Sequence, residues 1–451
     1  MNQLSNRKNF IFGVSSSALQ IEGDDGSKGR GKSIWDIFCE KKGVILNDAN
    51  TDIAIDHYNR YKEDVKLISG LGVDSYRFSL SWPRVLPEGI GKVNQQGVDF
   101  YDRLIDELLR NGVNPLLTMY HWDLPYELQK KGGFFSLDFP KWFAEYAEIV
   151  SKKFSDRVDE FITFNEPINI INSSYYSGVY PPNLKLGVND TLKCIHNMCL
   201  GHGLAADIFH GANVNAQVGI AMSTFETYPA DNNPLTISKA RDMFFARKEI
   251  AESVENYCDP IYLGKYSDKV LNDYPDFSDY VQKTGVNHLT GKSNFLGFNV
   301  YSGNPVNKYG DSVEYPLNME YSSMGSALDV NGLYWGAKYL SERYKVPLLI
   351  TESGMANEDV LSADGTVNDY KRANYIKNNL KAVKKLVDEG YDLNGYFVWT
   401  MFDNFEWLFG YTKRFGLVYI DYNNNLKRIP KQSYFAYKEY IRYYRKIYNK
   451  T

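Results

Sequence analysis

The sequence has few cysteines and almost no excess of either charge. Its four cysteines, Cys39, Cys194, Cys199 and Cys258, form no Cys-x-x-Cys pair in a chain of 451 residues. We therefore expect free thiols rather than a disulfide framework. With 51 basic against 55 acidic residues the net charge is only -4. Such a balance offers no strong positive field to a nucleic acid, so none is expected as a partner.

Metal-ligand spacings and long hydrophobic runs are also absent. The six histidines fall into no zinc-site spacing with one another or with cysteine, so no metal and no cofactor is predicted. No apolar run approaches the ~18 residues of a membrane-spanning helix. The stretch 10–14 is too short and too interrupted by glycine for a signal peptide. We therefore expect no membrane association and a cytoplasmic location.

Aromatic side chains, by contrast, are abundant. Tyr, Phe and Trp number 36, 25 and 7 and make up 15% of the chain. Many of them must be buried, because they carry large hydrophobic areas. A flat ring with a polar tip also suits the face of a sugar, so the positions of the rings decide between the two uses.

Eight short runs rich in β-branched and aromatic residues predict strands. They are 9–14, 73–80, 115–120, 160–164, 217–223, 295–300, 347–351 and 393–399. The amphipathic stretches between them, with helical periodicity, include 96–111, 139–154, 191–210, 333–344 and 370–389. This alternation predicts parallel βαβ units. Eight units without a linker or a change of composition predict a single (β/α)8 TIM barrel over residues 1–451.

In such a barrel the functional side chains lie at the C-terminal ends of the strands. The residues predicted there are Arg77, His121, Trp122, Asn165, Glu166, Asn299, Tyr301, Glu352 and Trp399. Glu166 and Glu352 follow the fourth and the seventh strand. Two carboxyl groups across a barrel mouth can hydrolyse a glycosidic bond, one protonated to assist the leaving oxygen and one ionised to meet the sugar carbon. A separation of ~5 Å would retain configuration and ~6.5–9.5 Å would invert it, and the sequence leaves both open.

Four segments carry a resemblance to a known family. They are 10–23, 76–84, 120–125 and Asn165-Glu166-Pro167. In these segments, and over essentially its whole length, the sequence resembles the retaining β-glycosidases of glycoside hydrolase family 1. The resemblance implies that Glu166 is the general acid/base, that Glu352 is the nucleophile, and that Asn165 reaches the sugar 2-hydroxyl. It also implies that Arg77 and Tyr301 hold the carboxylate of Glu352.

The same resemblance implies a pocket for a small β-glycoside or oligosaccharide. Its predicted sugar contacts are Gln20, His121, Trp122, Asn165, Asn299, Glu406 and Trp407, with Trp399 as the stacking floor. The branch of the family that acts on 6-phosphorylated sugars has a phosphate-binding Ser, Lys and Tyr cluster where this chain has Glu406 and Trp407. Because a carboxylate would repel a sugar phosphate, the expected substrates are unphosphorylated β-D-glucosides, together with β-D-galactosides and β-D-fucosides.

Besides Val300 and Leu19, which stand where the family often carries aromatic residues, three residues depart from the family pattern. Ser353 stands where the family usually has asparagine after the nucleophile. Ile168 and Ser326 stand where many members place tryptophans beside the leaving group, the aglycone. We therefore expect the aglycone side of the pocket to be wider and its preference relaxed.

Two other functions are alternatives at this stage. Residues 26–33 match the phosphate-loop pattern G-x-x-x-x-G-K-S, which would indicate a nucleotide-binding protein. Such a loop should leave a buried strand and open a long helix, whereas Glu22, Asp24 and Asp25 precede it. The second alternative is a sugar-binding protein of the same fold without turnover. Measuring hydrolysis would separate it from an enzyme.

Overall fold

The computed structural model describes residues 10–24 and 26–448, and its centre is a closed barrel of eight parallel strands. In chain order these are β1 (Ile11–Ser15), β2 (Ser75–Ser79), β3 (Asn114–Tyr120), β4 (Glu160–Asn165), β5 (Gln217–Ser223), β6 (Phe295–Asn299), β7 (Leu348–Ser353) and β8 (Leu393–Trp399). Each strand pairs with the next along the chain, and β8 closes the barrel against β1. The predicted (β/α)8 fold is confirmed.

Three strands end later than their apolar runs predict, and the first of them, β1, ends at Ser15 rather than at residue 14. β4 ends at Asn165 rather than at residue 164, and β7 ends at Ser353 rather than at residue 351. Parallel pairing extends β7, because Glu352 pairs with Asn299 of β6 and Ser353 pairs with Val398 of β8. Glu352 therefore lies within a strand, and the sequence-based placement after the strand is wrong. Its backbone is held by a neighbouring strand on each side.

The longer helices lie in the connections between the strands, except for the last, which follows β8. Those of ten or more described residues are α1 (His57–Leu71), α2 (Gln95–Arg110), α3 (Phe139–Phe154), α4 (Val188–Ala212), α5 (Pro234–Phe245), α6 (Pro275–Thr284), α7 (Asn331–Tyr344), α8 (Tyr370–Asp388) and α9 (Gln432–Tyr448). The five predicted helical stretches correspond to α2, α3, α4, α7 and α8 and are confirmed. Of the helices that the structure describes, none is both long and apolar enough to cross a membrane.

Shorter elements fill the strand-to-helix loops. The short helices and helical turns are Ala18–Ile21, Ile34–Cys39, Leu46–Asp48, Trp82–Val85, Tyr126–Lys130, Gly133–Phe135, Pro167–Ile170, Ile171–Tyr176, Ile250–Glu252, Glu255–Cys258, Asp259–Leu263, Asp268–Asp273 and Trp407–Phe409. Two small sheets lie outside the barrel. One pairs Thr227–Pro229 with Asn304–Val306 in parallel, and the other pairs Val418–Asp421 with Lys427–Pro430 antiparallel.

The barrel interior is filled with apolar side chains rather than open. The buried residues of this cluster are Ile11, Leu116, Ile162, Ala221, Phe295, Leu349 and Phe397. They come from seven of the eight strands, as expected where inward-facing residues of a small barrel interdigitate. The polar strand ends therefore stand above a dry, packed floor, which limits how far they can move.

A buried group of ion pairs holds the loop after β8. The Lys431 ammonium donates to Asp359 and to Asp403, each at 2.6 Å. Arg414 donates to the other carboxylate oxygen of Asp403, also at 2.6 Å. Breaking a buried pair costs about 3–5 kcal/mol, because the partner is left as an uncompensated charge. The segment that leads from Asp403 to Glu406 is accordingly anchored at one end.

Candidate active site

A cavity of about 400 Å³ opens at the C-terminal end of the barrel. Nine of the predicted site residues line it: His121, Trp122, Glu166, Asn299, Tyr301, Glu352, Trp399, Glu406 and Trp407. Gln20, Arg77 and Asn165 do not line it and lie buried behind its surface. The strand ends thus gather at one place, as the barrel topology requires.

Glu352 is held by one cation and one phenol. The Arg77 guanidinium donates to Glu352 Oε1 at 2.5 Å, and the Tyr301 hydroxyl donates to Oε2 at 2.6 Å. Arg77 also donates to the main-chain carbonyl of Thr351, at 3.2 Å. Glu352 is only 2% exposed. Both oxygens of this buried carboxyl group are therefore oriented by charge-assisted or hydroxyl hydrogen bonds.

A line of amides joins Glu352 to Glu166 across the site. Arg77 donates to Asn165 Oδ1 at 2.6 Å, and the Asn299 amide donates to the same oxygen at 3.0 Å. Asn299 also donates to Glu166 Oε1, at 3.0 Å. The two carboxyl groups thus belong to one continuous hydrogen-bond network, whose members constrain each other's orientation.

Glu166 has no cation among its hydrogen-bond partners. Besides Asn299, the amide of Asn169 donates to Glu166 Oε2 at 2.8 Å. Burial, together with the negative charge of Glu352, raises the pKa of Glu166 to about 7 against the opposing effect of these amides. At neutral pH this carboxyl group is therefore protonated in a large fraction of molecules.

The backbone at Glu166 is unusual for a residue with a side chain. Its φ of 53° lies in the left-handed region, directly after β4 and before the short helix Pro167–Ile170. The Glu166 N–H donates to the carbonyl of Ala221 in β5 at 2.7 Å, which fixes this conformation. Non-glycine residues in this region are uncommon and concentrate at functional sites. The left-handed backbone therefore marks Glu166 as a candidate functional residue, independently of its pKa.

One side of the cavity is aromatic. The His121 ring stacks on Trp399 with centroids 5.6 Å apart and on Trp407 at 6.2 Å, and Trp122 stacks on Trp407 at 4.4 Å. Stacked rings of this kind offer a flat apolar face with polar edges. We call His121, Trp122, Trp399 and Trp407 the aromatic wall.

The protonation state of His121 follows from its neighbours. Burial lowers the pKa of His121 well below its ordinary value, and the charge of Arg77 lowers it further, so the ring is neutral. Asn165 donates its amide to His121 Nε2 at 3.1 Å, because the Asn165 oxygen already accepts from Arg77. The ring proton therefore lies on Nδ1, which has no hydrogen-bond partner. His121 therefore has one buried donor without a partner among the described residues.

Glu406 is a further carboxyl group without an ion pair among the described residues. One of its oxygens, Oε2, is buried and has no hydrogen-bond partner. Burial raises the pKa of Glu406 to about 8, with added contributions from Glu352 and Glu166. A polar atom left unpartnered in a buried site costs free energy, which a ligand hydroxyl would recover.

Gln20 occupies a supporting position. Its amide donates to the carbonyl of Phe405 at 2.7 Å, and Ser17 donates to its oxygen at 2.5 Å. These bonds tie the segment after β1 to the residue before Glu406. Gln20 does not line the cavity in this structure, so the sugar contact predicted for it stays a prediction.

The three departures from the family pattern differ in position. Ser326 lines the cavity, whereas Ile168 is fully buried and does not. Ser353 also lies away from the cavity, where it accepts a hydrogen bond from Asn379 of α8 at 3.0 Å. Only Ser326 is therefore placed to widen the cavity directly.

Sequence reasoning missed several lining residues. They include Asn169, Tyr180, Ser223, Thr224, Glu226 and Phe415. Glu226 follows β5 by three residues, so the rule that placed the other candidates at strand ends could have found it. The sequence-based prediction named no residue at the end of the fifth strand.

The phosphate-loop alternative fails on geometry. Residues 26–33 follow the short helix Ala18–Ile21, not a buried strand. The helix that comes after them, Ile34–Cys39, has six residues. Ser33 serves as its cap by accepting from the Asp36 N–H at 3.2 Å. A phosphate loop requires a strand before it and a long helix after it, so this match is coincidental.

Comparison with known proteins agrees with the geometry. The family model described as glycosyl hydrolase family 1 matches residues 3–445. The chain belongs to this family. As a glycoside hydrolase of family 1 it is similar to β-glucosidase A of Thermotoga maritima, at 38% identity over 98% of this chain and 99% of that protein. It is 37% identical to β-glucosidase 4 of Oryza sativa, over 94% of this chain and 92% of that protein.

Solved structures give the same relationship. The family 1 β-glucosidase from Thermotoga maritima superimposes with a TM-score of 0.88 at 38% identity, covering 97% of this chain and 98% of that one. A structure of the Thermotoga maritima protein in complex with glucoimidazole also superimposes with a TM-score of 0.88. The resemblance read from the sequence is confirmed for the family and for the fold.

Proposed function

We propose that this family 1 hydrolase cleaves unphosphorylated β-D-glucosides with retention of configuration, through a covalent glycosyl-enzyme. The observation that carries the proposal is the unequal environment of the two carboxyl groups. Glu352 receives hydrogen bonds from Arg77 and Tyr301, whereas Glu166 receives only amide hydrogen bonds and has a pKa of about 7. Family 1 enzymes are retaining, and related proteins carry the name β-glucosidase.

In the first step Glu166 is the general acid and Glu352 the nucleophile. The proton of Glu166 passes to the glycosidic oxygen as the bond from that oxygen to the anomeric carbon breaks. A carboxylate oxygen of Glu352 forms the new bond to the anomeric carbon from the opposite face. The aglycone leaves as a neutral alcohol. Arg77 and Tyr301 hold the attacking carboxylate in position, which lowers the entropic cost of the attack.

In the second step Glu166 acts as the general base and Glu352 is the leaving group. Glu166, now ionised, takes a proton from a water molecule, and the water oxygen attacks the anomeric carbon. The bond to Glu352 breaks and its carboxylate is regenerated. Two inversions in succession leave the sugar with its original β-configuration. Glu166 ends the cycle protonated, as it began.

The aromatic wall and Glu406 form the proposed sugar pocket. Trp399 offers the stacking face, His121 Nδ1 donates, and Glu406 accepts from sugar hydroxyls. A sugar phosphate would meet Glu406, Glu166 and Glu352 without a lysine or arginine among the lining residues. We extend the proposal to β-D-galactosides and β-D-fucosides, since their ring faces can stack on the same tryptophan.

The stereochemical test follows the anomeric protons by NMR during hydrolysis of p-nitrophenyl β-glucoside. We expect β-glucose to form first and the α-anomer to appear later by mutarotation, because a double displacement preserves configuration. Formation of α-glucose first would show inversion and exclude the glycosyl-enzyme. No turnover of either the glucoside or the galactoside would favour a sugar-binding protein instead.

The activity is expected to fall as the pH rises through about 7. Glu166 must carry a proton in the first step, and its pKa lies near that value. Asn169 hydrogen-bonds to the ionised form and lowers the pKa, so Asn169→Ala should move the alkaline limb of kcat/KM upward, by on the order of half a pH unit. The measurement is kcat/KM for p-nitrophenyl β-glucoside between pH 5 and 9.

Asn172 supplies a matched control for this pH shift. It lies three residues further on, does not line the cavity, and donates to Glu252 instead. Asn172→Ala should leave the alkaline limb where it is. An unchanged limb in Asn169→Ala, or a shift towards lower pH, would contradict the assignment of Glu166 as the titrating acid.

A further inference from the structure

The cavity has a second wall that differs chemically from the aromatic one. It is formed by the ends of β5 and β6 and by the connection that follows β6. Its members are Ser223, Thr224, Glu226, Ser302, Ser322 and Ser326. We call these six residues the polar wall. These six side chains are short hydroxyls except for the carboxyl group of Glu226, and the apolar Phe225 and Met324 of the same segments line the cavity beside them.

The strand order places the polar wall on the side of the leaving group. Around the barrel, β5 and β6 lie between β4, which leads to Glu166, and β7, which carries Glu352. The aromatic wall follows β3 and β8, which lie on the other arc between the same two strands. A sugar stacked on Trp399 with its bond between the two glutamates therefore directs its aglycone towards the polar wall.

The position of Glu226 is fixed by its surroundings. Thr224 donates its hydroxyl to Glu226 Oε1 at 3.0 Å, and the Asn304 N–H donates to the Glu226 carbonyl at 2.6 Å. The next residues, Thr227–Pro229, form a strand that pairs with Asn304–Val306. The carboxyl group is therefore presented to the cavity from a backbone that is held in place.

Arg247 attracts the Glu226 carboxylate but does not form an ion pair with it. Arg247 instead pairs with Glu252 at 3.1 Å and lies over the Phe225 ring at 4.7 Å from its centroid. Glu226 forms no ion pair in the part of the chain that the structure describes, and no lysine or arginine lines the cavity. Burial, together with the charge of Glu166, raises the pKa of Glu226 to about 8 against the opposing effects of hydrogen bonds and of Arg247. A carboxyl group in such a place is stabilised by a cation that arrives with the ligand.

We propose that Glu226 determines aglycone specificity and favours leaving groups that carry an ammonium group. The ammonium would supply the ion-pair partner that Glu226 lacks among the described residues. It would donate hydrogen bonds to the Glu226 carboxylate, with the hydroxyls of the polar wall around it. The inference rests on the proposed function, because it takes Glu166 and Glu352 as the site of cleavage. No new chemical step is involved.

The test compares two substrates of similar shape, 4-(aminomethyl)phenyl and 4-(hydroxymethyl)phenyl β-glucoside. The ratio of their kcat/KM values is measured for the wild type, Glu226→Gln and the control Glu320→Gln. Glu320 is an exposed carboxylate in the connection after β6 and does not line the cavity. Because intrinsic leaving-group differences cancel between proteins, we expect the ratio to fall about tenfold in Glu226→Gln and to stay unchanged in the control.

Each outcome has a definite meaning. An equal ratio in the wild type and Glu226→Gln, or an equal fall in Glu320→Gln, would overturn the inference while leaving the proposed function intact. No hydrolysis of either substrate by the wild type would overturn the proposed function itself. If Glu226→Gln fails to fold, the inference is tested instead by measuring product inhibition of the wild type by the two free phenols. The aminomethyl phenol must then inhibit more tightly, and equal inhibition would overturn the inference.

Discussion

Replacing Glu352 with alanine is expected to lower kcat for p-nitrophenyl β-glucoside by at least about 10⁴-fold. The substitution removes the atom that bonds to the anomeric carbon, and neither Arg77 nor Tyr301, which hold it at 2.5 and 2.6 Å, can replace it. The space left by the side chain should admit azide, which would attack from the same face. We therefore expect azide to restore turnover and to yield the α-glucosyl azide, identified by NMR.

Glu358→Ala is the control for this experiment. Glu358 lies six residues further along the chain and is exposed, so its loss should leave kcat unchanged. Circular dichroism of both variants checks that the fold is intact. Formation of β-glucosyl azide, or turnover of Glu352→Ala within tenfold of the wild type, would contradict the role of Glu352 as nucleophile.

Glu166→Ala should lower kcat/KM in a way that depends on the leaving group. Phenyl β-glucoside needs a proton on its leaving oxygen, so its kcat/KM should fall by about 10²–10⁴-fold. The 2,4-dinitrophenolate group of 2,4-dinitrophenyl β-glucoside leaves without protonation, so this substrate should still react with Glu352. Its turnover should then be limited by the second step, which has lost its general base. Mass spectrometry should detect the accumulated glycosyl-enzyme.

Azide separates the two carboxyl groups by stereochemistry. In Glu166→Ala it should accelerate the second step and give β-glucosyl azide, the opposite anomer to that expected from Glu352→Ala. The pair of substrates is an internal control, since a general loss of structure would affect both equally. Equal losses on the two substrates, or the α-azide from this variant, would contradict the role of Glu166 as acid and base.

Most of the site could be predicted because strand ends can be read locally. Apolar runs marked the eight strands, and the residues around their ends supplied Glu166, Asn299 and Tyr301. The end of β7 was misplaced, since Ser353 is polar and continues the strand only through pairing with Val398. A strand held by its neighbours can extend past its own hydrophobic signal, and a single sequence does not contain those neighbours.

Glu226 and Gln20 show two further ways in which the sequence falls short. Glu226 lies three residues after β5, in a segment whose position depends on pairing with Asn304–Val306. Gln20 has the residue type that a sugar contact needs, yet its side-chain amide is already hydrogen-bonded to the Phe405 carbonyl and the Ser17 hydroxyl. In both cases the deciding partners are far away in the sequence or part of the backbone.

By itself the sequence determined the barrel, the family and the pair of carboxylates. Hydrophobic periodicity is a local property of each strand and helix, and eight repeats of it leave few other folds. Only the tertiary structure decided that Glu166 has a pKa of about 7, that His121 carries its proton on Nδ1, and that Glu226 faces the cavity without an ion-pair partner among the described residues. The reason is physical. Burial, charge and hydrogen bonding act through space, and the groups that exert them come from strands distant in the sequence.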